Sequence, residues 1–179
     1  MLVACNTGPL ISAFQSQSVP LLLGLFEEIH VPASVVAELQ DHGWGDEFAS
    51  AQQFVCLELT IAEQRRAKRI VAKIAKLSGD GSPAALHHGE ADAIVLAQRT
   101  KPAYDLLLLD ELAARSVAQS LGLVITGFPG VLLLAVEQGQ LKPDDVRRRL
   151  ETCRQQGTHY GIKFIQSVCA EAQSRWRQP

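Results

Sequence analysis

Short apolar runs alternate along the chain with longer segments of helical periodicity. The runs cover residues 2–5, 29–31, 55–59, 106–109 and 123–125. Each run is continuously apolar, which is typical of strands covered on both faces and therefore of a largely parallel sheet. We predict an α/β fold, a three-layer α/β/α sandwich with a mainly parallel central sheet.

Helical patterns follow most of these runs. Pro9 stands where a first helical turn begins, after Thr7, and Pro32 stands just before the helix predicted from Ala33. Both of these helices follow a predicted strand directly. The second of them covers residues 33–40, and further helices are predicted over residues 61–77, 90–99, 111–121, 130–138, 143–155 and 163–175. Glycine-rich stretches at residues 43–46 and 79–83 predict loops.

The composition is that of an ordinary globular protein. With 179 residues, 47% of them hydrophobic, the chain is long enough for one domain with a real core. A net charge of −2 means that contact with nucleic acid has to come from local patches. Four widely spaced cysteines predict reduced thiols in a cytoplasmic protein rather than a zinc or disulfide site.

No segment predicts a membrane span. The longest uncharged apolar stretch, residues 121–136, is shorter than the ~20 residues that a membrane helix needs. It is also interrupted by Gly127, Pro129 and Gly130. We therefore expect this stretch to lie in the core.

Polar side chains follow two of the predicted strands. Asn6 comes directly after the first apolar run and Asp110 directly after the fourth. Because ligands bind at the carboxyl ends of strands in open parallel sheets, both side chains are predicted at one functional edge. Glu38 lies in a predicted helix between them, and Glu90 and Asp92 open another.

A divalent cation is the simplest reason to gather such side chains. Neighbouring carboxylates raise each other's pKa unless a cation lies between them, and oxygen ligands suit Mg²⁺ or Mn²⁺. Such an ion can activate water for hydrolysis of a phosphodiester. Each acid also has a plainer interpretation, because Glu90 and Asp92 suit the first turn of a helix and Glu38 suits a solvated helix face.

Four short segments occur in a distinctive order. They are Asn6-Thr7-Gly8-Pro9-Leu10-Ile11, residues 31–39 with Glu38, Gly89-Glu90-Ala91-Asp92-Ala93-Ile94, and Leu107-Leu108-Leu109-Asp110 with its continuation to residue 123. Together they resemble the motifs of the PIN-domain nuclease family, most closely its small stand-alone prokaryotic members related to VapC toxins. The resemblance covers about residues 1–150 and implies a PIN-like domain there. Residues 151–179 are then a C-terminal helical extension packed on the domain or on a partner.

That resemblance implies a metal-dependent ribonuclease. The implied activity is endonucleolytic cleavage of RNA at a Mg²⁺ or Mn²⁺ centre, commonly by a homodimer that a small antitoxin protein inhibits. The implied catalytic positions are Asn6, Glu38, Asp92 and Asp110. The implied metal ligands are Glu38, Asp92 and Asp110, with Glu90 nearby.

Asn6 departs from the family pattern, in which an aspartate stands at this position. Its amide oxygen can still coordinate weakly, but a full negative charge is missing. Attraction between unit charges about 4 Å apart is about 4 kcal/mol at an effective dielectric constant near 20. We therefore expect weaker metal binding than the family pattern implies.

Glu90 and Asp92 cannot have equivalent roles in a helix. Two residues along a helix are about 200° apart, so their side chains point to opposite sides. The resemblance favours Asp92 on the metal side, because it directly precedes Ala93 and Ile94. Glu90 is then expected to cap the helix or to contact a metal-bound water.

Basic side chains form a stripe on the predicted helix 61–77. Its members recur at three- and four-residue steps and are Arg65, Arg66, Arg69, Lys73 and Lys76. The stripe suits an RNA backbone or an acidic antitoxin tail, and a plain solvated helix face is an equal alternative. Near the end of the chain, Trp176 suits stacking on a base or, more often, packing on a neighbouring subunit.

Three functions compete on this sequence. The first is a metal-dependent endoribonuclease that serves as the toxin of a toxin-antitoxin pair. The second is a catalytically weakened PIN fold that binds RNA or protein, an interpretation that Asn6 favours. The third, an unrelated α/β protein that binds a small phosphate ligand, is disfavoured because the chain has no glycine-rich phosphate loop.

Overall fold

Five parallel strands form the centre of the protein. The computed structural model describes residues 1–79 and 87–176. Within them the strands are Leu2–Cys5 (β1), Glu28–Pro32 (β2), Phe54–Leu57 (β3), Leu106–Leu108 (β4) and Ile125–Thr126 (β5). Their order in the sheet is β3-β2-β1-β4-β5, and every neighbouring pair is parallel. The predicted parallel sheet is confirmed.

Helices cover both faces of this sheet. In the described residues they are Thr7–Gln15 (α1), Val19–Leu25 (α2), Ala33–Asp41 (α3), Gly45–Ala49 (α4), Ile61–Ser78 (α5), His88–Ala97 (α6), Leu112–Ser120 (α7), Phe128–Glu137 (α8), Pro143–Gln155 (α9) and Ile162–Arg175 (α10). None of the helices in residues 1–79 and 87–176 combines the length and the apolar character that crossing a membrane requires.

The alternation of side chains along the strands divides the interior into two cores. Val3 and Leu108 belong to the first core, which includes buried residues of α1, α3, α8, α9 and α10. Ala4 and Leu107 belong to the second core, which includes buried residues of α5, α6 and α7. Because successive strand residues point to opposite faces, β1 and β4 each contribute to both cores. The predicted three-layer α/β/α sandwich is confirmed.

Four of the five predicted strands differ in their bounds from the observed strands, and the two largest differences are at β5 and β3. The strand predicted at residues 123–125 is β5, Ile125–Thr126, because the chain is still closing α7 at that point. Gly122 has a φ of 77°, and the Leu123 N–H donates to Ala118 O at 3.2 Å. The strand predicted at residues 55–59 is β3, which begins at Phe54 and ends at Leu57.

Two short helices were not predicted. The loop predicted at residues 43–46 is only partly correct, because the chain turns at Gly43, with a φ of 78°, and α4 begins at Gly45. Phe48 of α4 stacks on Phe54 with ring centroids 5.2 Å apart, so tertiary packing outweighs the local glycine signal. Helix α2 is a single apolar segment of 7 residues, too short for a clear periodicity.

The predicted loop at residues 79–83 begins as expected. Gly79 ends α5 in the left-handed conformation, with a φ of 62°, and residues 80–83 lie outside the described part of the chain.

At the C-terminus, α9 continues through residue 150, and Ile165, Val168 and Ala172 of α10 are buried in the first core. Trp176 packs half-buried against that same core, and its contact with a base or another subunit stays a prediction. The domain boundary at residue 150 stays a prediction.

An ion pair joins the start of α5 to the end of α6. The Arg99 guanidinium donates to both Glu63 carboxylate oxygens at 2.8 Å. Glu63 also accepts from the Thr60 N–H at 2.8 Å and completes a capping box. The hydrogen bonds from Arg99 lower the pKa of Glu63 from 4.5 to about 2.

We expect the Glu63→Gln variant to unfold with a free energy lower by about 1–3 kcal/mol at neutral pH, because glutamine keeps the cap but loses the charge. Since the pKa of Glu63 is lowered by folding, this difference is full above pH 4.5 and disappears as the pH falls through about 2. Urea denaturation across this pH range measures it. Arg66→Gln, which removes only a partly exposed contact of 3.9 Å with Glu63, is the control and is expected to cost less than about 1 kcal/mol. Equal losses in both variants would contradict the prediction.

Candidate active site

Asn6 and Asp110 lie at the carboxyl ends of neighbouring strands. In the register of β1 and β4, Cys5 is opposite Leu108. The Asn6 N–H continues this ladder by donating to Leu108 O at 3.0 Å. The sheet therefore places both side chains at the edge that their positions in the sequence indicated.

Glu38 approaches Asn6 across the first turn of α6. A Cβ atom added at Gly89 would lie 2.6 Å from Glu38 Oε1 and 3.1 Å from Asn6 Oδ1. The Thr7 hydroxyl donates a hydrogen bond to Glu38 Oε2 and holds the carboxylate toward α1. The missing side chain of Gly89 thus leaves a small space that two oxygen atoms face.

The side-chain amide oxygen of Asn6, Oδ1, is buried in this space without a hydrogen-bond partner among the described residues. Asn6 is only 4% exposed, and within the described residues its Oδ1 atom accepts no hydrogen bond. A buried acceptor without a partner costs about 1–3 kcal/mol, so native proteins rarely keep one without a ligand, water or ion. The residues around Gly89 therefore fit a cation that prefers oxygen ligands.

Glu90 and Asp92 have separate surroundings. Burial raises the pKa of Glu90, and the nearby Glu38 carboxylate raises it further. Burial also raises the pKa of Asp92, but its main polar contact is the Ser34 hydroxyl, which donates to Oδ2 at 2.7 Å. The structure therefore places Glu90 near Glu38 and pairs Asp92 with Ser34, which precedes Glu38 by one turn of α3. The role of Asp92 as a metal ligand stays a prediction.

Asp110 is enclosed by backbone. The Phe128 N–H at the start of α8 donates to Asp110 Oδ1 at 2.9 Å. A Cβ atom at Gly127 would lie 2.2 Å from Oδ1, and one at Gly8 would lie 3.6 Å from Oδ2. Burial raises the pKa of Asp110 to about 6, although the Phe128 hydrogen bond and the Arg115 charge act in the opposite direction.

The acidic residues do not form one compact cluster. In residues 1–79 and 87–176, no three His, Cys, Asp or Glu side chains lie close enough together to hold a metal ion. A cation at this edge would therefore complete its shell with Asn6 Oδ1, with water or with substrate oxygens. Mg²⁺ commonly binds in this way, with one or two carboxylates and several waters.

Several residues that support the site were not predicted from the sequence. Thr7 holds Glu38, and Ser34 holds Asp92. Arg115 donates to Leu109 O at 2.8 Å beside Asp110. Thr7 and Arg115 stand inside the motifs quoted above, so their positions were visible, but their partners depend on contacts across the fold.

The basic stripe lies on the exposed face of α5. Arg65, Arg69, Lys73 and Lys76 are exposed, and the opposite face buries Ala67, Ile70, Val71 and Ile74 against the second core. Arg66 lies 3.9 Å from Glu63. The amphipathic character of this helix is as predicted, and its role in RNA binding stays a prediction.

The parallel sheet, with polar and acidic side chains gathered at its carboxyl edge, defines an α/β domain with a candidate active site at that edge. A family model described as a PIN domain matches residues 2–174. The chain therefore belongs to the PIN-domain family. The match includes α9 and most of α10, beyond the residues that carry the four motifs. No curated protein gave a significant match.

We expect Gly89→Ala to lower the free energy of unfolding by about 1–3 kcal/mol, because the added methyl carbon overlaps Glu38 Oε1. Gly24→Ala in α2 is the matched control, since the nearest atom is the flexible end of the Gln140 side chain, 3.1 Å away. Alanine is the better helix former, so the control is expected to be neutral or up to about 1 kcal/mol more stable. Urea denaturation measures both, and equal stability of the two variants would contradict the close approach of Glu38.

Proposed function

We propose that this PIN-domain protein is an endoribonuclease that depends on Mg²⁺ or Mn²⁺. The observation that supports the proposal most directly is the buried Oδ1 atom of Asn6, which has no partner among the described residues and faces the same space as Glu38. A divalent cation bound there would lower the pKa of a water molecule and neutralise charge on a phosphodiester.

In this proposal Glu38, Asn6 and Glu90 hold the cation from one side and Asp110 from the other. The Thr7 hydroxyl orients Glu38. The Phe128 N–H occupies Asp110 Oδ1 and leaves Oδ2 for a ligand. Asp92 stays a candidate ligand from the family pattern, and its hydrogen bond to Ser34 supports a further role in holding α3 against α6.

Weakened catalysis is the second candidate function. Asn6 removes one negative charge from the proposed ligand set, and no three acidic side chains of the described residues converge. Both features reduce metal affinity, since each lost unit charge at close range is worth several kcal/mol before solvent screening. A PIN fold of this kind would bind RNA or protein without cleaving it.

Two substitutions distinguish these candidates. If the chain is an enzyme, Asp110→Asn is expected to slow cleavage of single-stranded RNA by at least about 100-fold, because it removes a charged ligand without changing shape. Asn6→Asp is expected to increase Mn²⁺ affinity about tenfold or more. Cleavage of a fluorescent RNA oligonucleotide, with an all-deoxy oligonucleotide beside it, measures activity and substrate class.

Asp41→Asn, at the exposed end of α3, is the control for these variants and is expected to cleave like the natural chain. Cleavage by Asn6→Asp together with no cleavage by the natural chain would favour the binding module. Cleavage that persists undiminished in Asp110→Asn would exclude the proposed metal centre.

We further propose that the protein acts as the toxin of a toxin-antitoxin pair and forms a homodimer. The family resemblance of the four motifs supports this role, and the exposed basic stripe on α5 suits an acidic antitoxin segment. Induced expression in bacteria is expected to stop growth, whereas equal expression of Asp110→Asn is not. Growth arrest by both variants would contradict a toxicity that depends on cleavage, and sedimentation would establish the oligomeric state.

A further inference from the structure

A cavity of about 500 Å³ opens beside Asp110, and Glu38 is not among its lining residues. Its walls come from the end of β5, from α8 and from the segment that enters α10. This volume lies in the range of sites that enclose small ligands. Asp110 lines the cavity and also lies at the carboxyl edge of the sheet, so it belongs both to the cavity and to the candidate active site.

Two aromatic rings form one wall of the cavity. The ring centroids of Tyr160 and Phe164 are 5.8 Å apart, with a tilt of 30°. The Tyr160 hydroxyl lies 3.2 Å from Ser12 Oγ, a hydrogen bond that fixes this ring to α1. Phe164 is 45% exposed, although the same segment buries Ile165. A large exposed aromatic side chain in a concave surface is typical of a binding site.

Other lining residues are apolar, and two are basic. Pro129, Leu133 and Val168 contribute apolar surface. Asp110 is the one carboxylate among the described residues of the lining, whereas Arg115 and His159 also line the cavity. The hydrogen bond from Arg115 to Leu109 O holds the guanidinium beside Asp110. A flat apolar group joined to an anion complements this combination.

We propose that this cavity binds the base of the nucleotide next to the scissile phosphate of a single-stranded RNA. Phe164 and Tyr160 provide the stacking surface, and Arg115 contacts the phosphate. Aromatic side chains bind unstacked bases of single strands in this way, largely without regard to sequence. The inference rests on the proposed nuclease function, because the position of Asp110 is what relates the cavity to a scissile bond.

The binding step can be tested without catalysis. AMP and ribose 5-phosphate are titrated into the full chain in EDTA, and binding is followed by two-dimensional NMR. AMP is expected to bind at least tenfold more tightly than ribose 5-phosphate, because only AMP carries a base. Phe164→Ala is expected to remove that tenfold difference, whereas Phe164→Tyr keeps it. Val124→Ala, which removes an apolar side chain that is 67% exposed outside the cavity, is the control.

Equal binding of AMP and ribose 5-phosphate would overturn the proposal. So would binding of AMP that Phe164→Ala does not change. If Phe164→Ala instead dissociates a dimer and AMP does not bind, the cavity is a surface for a second copy of the chain, and the proposal is wrong.

RNA cleavage separates this inference from the proposed function. In Phe164→Ala, KM for RNA is expected to rise about tenfold with kcat unchanged, and the base preference beside the cut is expected to change. If Phe164→Ala cleaves RNA with an unchanged KM and an unchanged base preference, the proposed nuclease function stands and the proposed base site is wrong. If the natural chain binds AMP as expected but cleaves no RNA, the nucleotide site stands and the proposed nuclease function is wrong.

Discussion

Loss of water around oxygen atoms at the carboxyl edge of the sheet is the constraint on which the site depends. Asp110 is held there by one backbone N–H and a nearby guanidinium, yet burial still raises its pKa to about 6. Asn6 Oδ1 has no such compensation within the described residues. Native structures keep oxygen atoms in this state when a ligand supplies the missing interaction, which is why this edge supports a cation site.

Close packing at this edge depends on glycine. Gly89 and Gly127 each stand where a Cβ atom would meet a carboxylate oxygen, at 2.6 Å from Glu38 and 2.2 Å from Asp110. Both glycines lie at the start of a helix, where the backbone N–H groups favour negative charge. At α8 the Phe128 N–H donates to Asp110 Oδ1 and offsets part of the cost of burying that carboxylate.

The aromatic cavity extends this edge toward α10. Tyr160 and Phe164 follow Asp110 by about fifty residues, and Asp110 lines the cavity that they form. Helix α10 buries Ile165 and Val168 in the first core and thereby fixes the segment that carries both rings. The C-terminal helix therefore contributes to the stability of the sandwich and to the surroundings of Asp110, which agrees with the extent of the family match, residues 2–174.

The sequence by itself determined the layers and the edge. Its apolar runs predicted a parallel sheet, and its helical pattern predicted both the first and the last residue of α9. The ends of two apolar runs predicted that Asn6 and Asp110 lie at the same edge of the sheet. Only the tertiary structure showed which neighbour each helix acid has, because Glu90 lies near Glu38 and Asp92 accepts a hydrogen bond from Ser34. Only the tertiary structure showed that Asp110 lines the same cavity as Tyr160 and Phe164. Periodicity reports which residues are apolar, whereas the direction of a polar side chain depends on how each helix is rotated against distant neighbours.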